Sequence, residues 1–118
     1  MIKGLAGASI WSEDLNRLLP FYRDTLGLAP MIETPGFVVF GDLNAPVLGL
    51  GTHSEVRGRN PDPARHMVGF VTDDIEADFQ RLKSQGVEFV EEPTKSDELT
   101  IATFKDPDGN YIQLFQLE

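Results

Sequence analysis

The stretch Asp106-Pro107-Asp108-Gly109-Asn110-Tyr111-Ile112-Gln113 decides the fold. Pro107 presets the φ of a turn and Gly109 accepts the positive φ that other residues resist, so Thr100–Lys105 and Tyr111–Gln116 read as the two strands of a hairpin. Side chains alternate across a strand. Tyr111, Gln113 and Phe115 therefore share an inward face, while Ile112 and Leu114 pack on a helix. The third residue of the outgoing strand is a glutamine that chemistry can use.

Outward from this hairpin, the pattern repeats. From Ser12 to Leu26 the apolar residues Leu15, Leu18, Leu19, Tyr22 and Leu26 recur at helical spacing, with Glu13 and Asp14 in the first turn and Gly27 just past the end. Pro20 lies inside this helix and removes the backbone bond toward Asn16, which predicts a kink or a short 3₁₀ turn. Asp74, sixty residues beyond Asp14, opens a second helix with the stripe Ile75, Phe79, Leu82. Asp73 and Glu76 there have capping-box spacing and Gly86 closes the helix. Strand candidates precede the helices at Leu5–Trp11 and Met67–Thr72. Three more follow each, at Ala29–Glu33, Phe37–Gly41 and Val47–Thr52, then Val87–Glu91, Leu99–Lys105 and Tyr111–Gln116.

Each half thus reads βαβββ, and the chain 1–118 is a single α+β domain of two modules, 4–52 and 66–117. The segment 53–65, with Gly58, Pro61 and Pro63 and no apolar periodicity, suits a linker. One helix cannot cover both faces of a four-stranded sheet, so the modules are expected to form curved mixed sheets around a cleft. On the opening strand alternation places Gly7, Ser9 and Trp11 inward, with Ala6, Ala8 and Ile10 outward. Trp11, Tyr111, Phe115 and one of Phe37 and Phe40 then furnish an aromatic cup for a flat apolar molecule. The run Phe37-Val38-Val39-Phe40 has no alternation that would assign its faces.

Bulk properties narrow the function. At 118 residues the chain buries roughly two thirds of its extended surface, so it needs no metal or disulfide merely to fold. Zero cysteines exclude a thiolate site or nucleophile. No apolar run reaches the roughly 18 residues of a membrane span, and Met1-Ile2-Lys3-Gly4 lacks a signal peptide's apolar stretch, so a soluble, cytoplasmic protein is expected. A net charge of −9 repels phosphate backbones and anionic lipid, which argues against nucleic acid or membrane as partner. Up to Asn60 there are 5 basic and 6 acidic residues, and beyond it 5 and 13. The acidity therefore belongs to the second half, where Glu91-Glu92 and Asp97-Glu98 around Pro93 read as a solvated loop. No phosphate loop, serine elbow or His-Glu-x-x-His helix occurs.

The opening octet, together with Phe21-Tyr22-Arg23-Asp24-Thr25-Leu26-Gly27-Leu28, resembles the glyoxalase / bleomycin-resistance / dioxygenase superfamily, or vicinal oxygen chelate proteins, from about Gly4 to Gln116. The superfamily houses metal lyases, isomerases, ring-cleaving dioxygenases and metal-free drug-binding proteins, so the resemblance fixes a fold more than an activity. It also implies paired modules often shared between chains, hence a homodimer. In the superfamily's metal enzymes, two histidines and a carboxylate on first and last strands hold the ion. Those positions here are Gly7, Met67 and Gln113, of which the first two cannot ligate as imidazole does and the third is a neutral amide. His66 is one residue off the first-strand position. An irregular metal set would need His53, His66 and Gln113, and His53 beside Glu55 is a further candidate as a lone general base.

The leading reading is a small-molecule binding protein without a cofactor, in which Ser9, Trp11, Tyr111, Gln113 and Phe115 line the ligand site. The alternatives are a divalent-metal lyase, isomerase or dioxygenase with the irregular set, and a catalytically silent dimeric interaction module.

Overall fold

The computed structural model describes residues 1–42 and 44–117. The chain divides into two compact units, one spanning Met1–Gly58 and the other beginning at Arg59.

In the first unit, β1 (Gly7–Ser12) leads through α1 (Leu15–Pro20) to β2 (Pro30–Thr34), β3 (Phe37–Phe40) and β4 (Val47–Thr52). The strand order is β1-β4-β3-β2, with β1 parallel to β4 and the other pairs antiparallel. Leu15, Leu18 and the fully buried Tyr22 pack with Val38, Phe40, Leu48 and Leu50, which pair with one another in the sheet and therefore share its helix-covered face. Of the kink or short 3₁₀ turn expected at Pro20, the 3₁₀ turn does not form. The helix widens instead, into a π turn over Phe21–Thr25, where Leu26 N donates to Phe21 O at 2.8 Å. Widening accommodates a ring that can neither donate nor tolerate the carbonyl of Asn16 close by.

The second unit repeats the scheme: β5 (Val68–Val71), α2 (Ile75–Ser84), β6 (Phe89–Ser96), β7 (Leu99–Lys105) and β8 (Tyr111–Leu117), in the order β5-β8-β7-β6. Phe79, Leu82 and Ile75 of α2 are buried along with Ala102, Phe104, Ile112 and Leu114. The two helix starts are built alike. Asp14 and Asp74 are the N-caps, accepting from Asn16 N at 3.0 Å and Ala77 N at 3.1 Å. The Ser12 and Thr72 hydroxyls accept from the Asp14 and Asp74 amides. A side chain from the last strand, Thr52 or Gln116, takes the first helical N–H. The cap of α2 is thus Asp74, one residue beyond the expected Asp73. Thr72 supplies the reason, since its hydroxyl turns the chain at Asp74.

β6 continues past Glu91, the end of the strand candidate, through Glu92 and Pro93, where a loop is expected from sequence. Proline is tolerated because β6 is an edge strand, and the register shifts between Phe89 and Glu91 and between Glu91 and Thr94 absorb the mismatch. The turn comes later, at Asp97–Glu98, between the paired residues Ser96 and Leu99. Asp97 is a non-glycine residue with positive φ, 54°. Asp97→Gly is expected to stabilise the protein by about 0.5–1 kcal/mol, read as a rise in the urea midpoint at constant slope.

The segment expected as a linker is tied down at both ends. His53 N donates to Ser12 O at 2.9 Å. Asn60 N donates to Asp108 O at 2.8 Å, and the Asn60 amide donates to Asn110 Oδ1 at 2.8 Å. Arg59 lies against Gly109 and donates to Pro107 O at 3.3 Å.

Candidate functional site

Each sheet has a face that its own helix leaves uncovered. In the first unit the pairing places Gly7, Ser9 and Trp11 of β1 on that face with Val47, Gly49 and Gly51 of β4 and Phe37 and Val39 of β3. Alternation read from sequence places Ser9 and Trp11 there too. Phe37, whose face the sequence leaves open, joins them, and Phe40 goes to the core. Trp11 stacks on Phe37 with ring centroids 5.5 Å apart and planes at 29°. The two rings rest on a floor without side chains. A Cβ added at Gly49 would stand 2.6 Å from Phe37 Cζ, and one at Gly51 would run into Trp11 Cζ3 while lying 2.8 Å from Phe37 Cδ1. The stack is nevertheless open to solvent, with Trp11 41% exposed. An exposed, pre-stacked pair of rings on a flat backbone floor is a surface on which another flat molecule can lie.

His53 stands edge-on to Trp11, at 5.5 Å and 72°. Its Nδ1 accepts from Glu55 N at 3.0 Å, and its Nε2 lies 3.9 Å from Glu55 Oε2. A neutral imidazole has one lone pair in the ring plane, and that lone pair is already engaged by the Glu55 amide. In this geometry Nδ1 is therefore not free to ligate a metal.

In the second unit Tyr111, Gln113 and Phe115 of β8 share the uncovered face with Ile101, Thr103 and Lys105 of β7 and with Gly69 and Val71 of β5. Phe115 lies over Gly69, where an added Cβ would be 3.0 Å from Phe115 Cδ2. Among the described residues the Gln113 side chain makes no hydrogen bond. Two donors and one acceptor are thus presented beside two aromatic residues. Thr103 is paired directly with Gln113 and is buried, and Glu91 is in register beyond Thr103. Neither was a sequence candidate. Thr103 gives no signal in composition, and Glu91, the last residue of the strand candidate Val87–Glu91, has no assigned partner until the register of β6 is known. The positive charge of this face is neutralised at its margin. Lys105 Nζ sits 2.9 Å from Glu88, and the hydrogen bond it donates, reinforced by its charge, holds the Glu88 carboxyl below the usual range.

The donor set that a divalent ion would need does not fit. An added Cβ at Gly7 would meet the Val47 backbone, 2.9 Å from its nitrogen, so no ligating side chain can stand there without moving β4. His66 and Met67 are exposed and precede β5, and Gln113 offers an uncharged oxygen. Among the described residues no three histidine, aspartate or glutamate side chains gather as a metal site. Nor is any helix among them long and apolar enough to cross a membrane.

Comparison with known proteins gives a consistent family. The model of the Glyoxalase/Bleomycin resistance protein/Dioxygenase superfamily matches residues 4–114. The chain is 32% identical over 120 residues to the uncharacterized protein YurT of Bacillus subtilis, covering 92% of this chain and 94% of that protein. Among solved structures, a glyoxalase/dioxygenase from Nostoc punctiforme superposes with a TM-score of 0.81 at 16% identity, covering 98% of this chain and 92% of that one. A glyoxalase/bleomycin resistance protein/dioxygenase from Nocardioides gives 0.72 at 21% identity, with 99% and 85% covered. At these identities the structural likeness speaks for the fold.

Proposed function

Because the chain belongs to the Glyoxalase/Bleomycin resistance protein/Dioxygenase superfamily, we propose that it is a metal-independent binding protein for a flat, uncharged organic molecule. The observation that carries this reading is the Trp11–Phe37 stack, held on a glycine floor and left open to solvent. Burying such rings only in the bound state makes ligand capture favourable, since each aromatic covers a large apolar area. Ser9 shares the uncovered face of Trp11 and Phe37 in the first unit, and in the second unit Gln113, with no side-chain partner among the described residues, offers neutral hydrogen bonding beside Tyr111 and Phe115 on that unit's own uncovered face. Work in the cytoplasm as a homodimer is part of the same proposal. The homodimer is supported by Val71 and Leu117, apolar residues 80% and 71% exposed on the uncovered face of the second sheet.

The test is a thermal shift on the full chain in the presence of a chelator. A planar neutral aromatic compound at ten times its dissociation constant should add about 1.4 kcal/mol, or about 5 °C. Trp11→Ala should lose that shift. Gln113→Leu should keep the stability of the ligand-free protein within about 0.5 kcal/mol, because no hydrogen bond within the described protein is abandoned. Stoichiometric Mn, Fe, Ni or Zn in protein purified without chelator, lost in His53→Ala or His66→Ala, would replace this reading with a metalloenzyme. A chain responding to neither aromatic compounds nor ions would be an interaction module.

A further inference from the structure

We infer that His53 is a fixed hydrogen-bond donor at the margin of the Trp11–Phe37 platform, and that the ligand is an aromatic compound carrying a neutral carbonyl. The inference rests on the binding function proposed above. Its physical basis is the tautomer of the ring. Glu55 N–H points at Nδ1 from 3.0 Å, which requires a lone pair on Nδ1 and so places the proton of the neutral imidazole on Nε2. That proton is not consumed, because Glu55 Oε2 at 3.9 Å is beyond hydrogen-bond reach. The His53 side chain is 39% exposed and stands edge-on to the ring that would carry the ligand. A molecule lying on Trp11 therefore has a donor at its rim, with the Glu55 carboxylate 3.9 Å from that donor's nitrogen. Glu55 disfavours an anionic acceptor by like-charge repulsion, as does the net charge of −9. An aryl ketone, aldehyde or amide satisfies both conditions.

Two ring-matched probes test this, 2-acetylnaphthalene and 2-ethylnaphthalene, titrated against the full chain. Trp11 is the only tryptophan, so its indole N–H gives one assignable cross-peak to follow. The acetyl probe should bind about five- to tenfold more tightly, the worth of one net neutral hydrogen bond. In His53→Ala the ratio should fall to about one, and in His53→Gln, whose amide N–H reaches the Nε2 position, most of the ratio should return. Imidazole ¹⁵N shifts of the ligand-free protein should show a pyrrole-type Nε2 and a pyridine-type Nδ1.

Equal affinities for the two probes, with both moving the Trp11 signal, would overturn the inference while leaving the binding function standing. So would a ratio untouched by His53→Ala, or the reverse tautomer. No response to either probe would remove the binding function and this inference with it.

Discussion

Asp106→Ala is expected to cost about 3–5 kcal/mol of stability, or roughly 10–20 °C in melting temperature for a domain of this size. The carboxylate of Asp106, 3% exposed, is the hub of the β7–β8 turn. Its Oδ1 accepts from Asp108 N at 2.9 Å and Asn110 N at 3.0 Å, and its Oδ2 accepts from the Asn110 amide at 2.8 Å. Hydrogen bonds to a buried acceptor are each worth about 1–1.5 kcal/mol, and alanine leaves all three donors behind. Asn110 is also the residue that holds Asn60, so the loss propagates to the start of the second unit. Asp106→Asn keeps an acceptor for the two backbone amides and should recover about half of the loss. Urea unfolding of both variants decides the matter. An alanine variant costing under about 1 kcal/mol would mean that Pro107 and Gly109 form the turn unaided.

This turn matters to the site because it sets the register of β8. A slip of one residue would exchange Tyr111, Gln113 and Phe115 for Ile112 and Leu114 on the uncovered face. The same fact explains what was legible in the sequence. Where a turn and an apolar alternation agree, as over Leu99–Lys105 and from Tyr111, the strands begin and pair as read, and the face of Gln113 follows. Alternation on β1 places Ser9 and Trp11 equally well.

What escaped the sequence depended on partners remote in the chain. Phe37-Val38-Val39-Phe40 is apolar throughout, and only its pairing with β4 assigns Phe37 to Trp11 and Phe40 to the core. The stretch after Glu91, Glu92-Pro93, looks like a loop because charge and proline are local signals, whereas strand pairing with β7 is not. His53 reads as a candidate ligand by residue type alone. Its chemistry is set by a backbone amide two residues away, which no composition records. The duplication was visible in the helices and strands, but not the exchange of large and small residues within it. Trp11 on the first strand lies over Gly51 on the last, while Phe115 on the last strand lies over Gly69 on the first. Each module thus seats one ring flat on backbone by opposite means.

Gly51→Ala tests that seating directly, and its effect should fall on binding far more than on folding. The added methyl would occupy the space of Trp11 Cζ3 and stand 2.8 Å from both Trp11 Cε3 and Phe37 Cδ1, well inside ordinary contact. Something must give, and the backbone is the stiffer party because Gly51 is bonded into β4 between β1 and β3. Trp11, 41% exposed, can swing outward, so the stability cost should be about 1–2 kcal/mol, in the range of modest overpacking. The platform does not survive that swing. With the stack on Phe37 broken, affinity for a flat probe such as 2-acetylnaphthalene should fall at least about tenfold, the equivalent of about 1.4 kcal/mol. Gly36→Ala is the matched control, since its φ is not positive and an added Cβ there meets nothing within 4 Å. It should change neither the Trp11 cross-peak nor the affinity. Were Gly51→Ala to bind as the native protein does, with Trp11 displaced, the ligand would have to sit elsewhere than on the stacked rings.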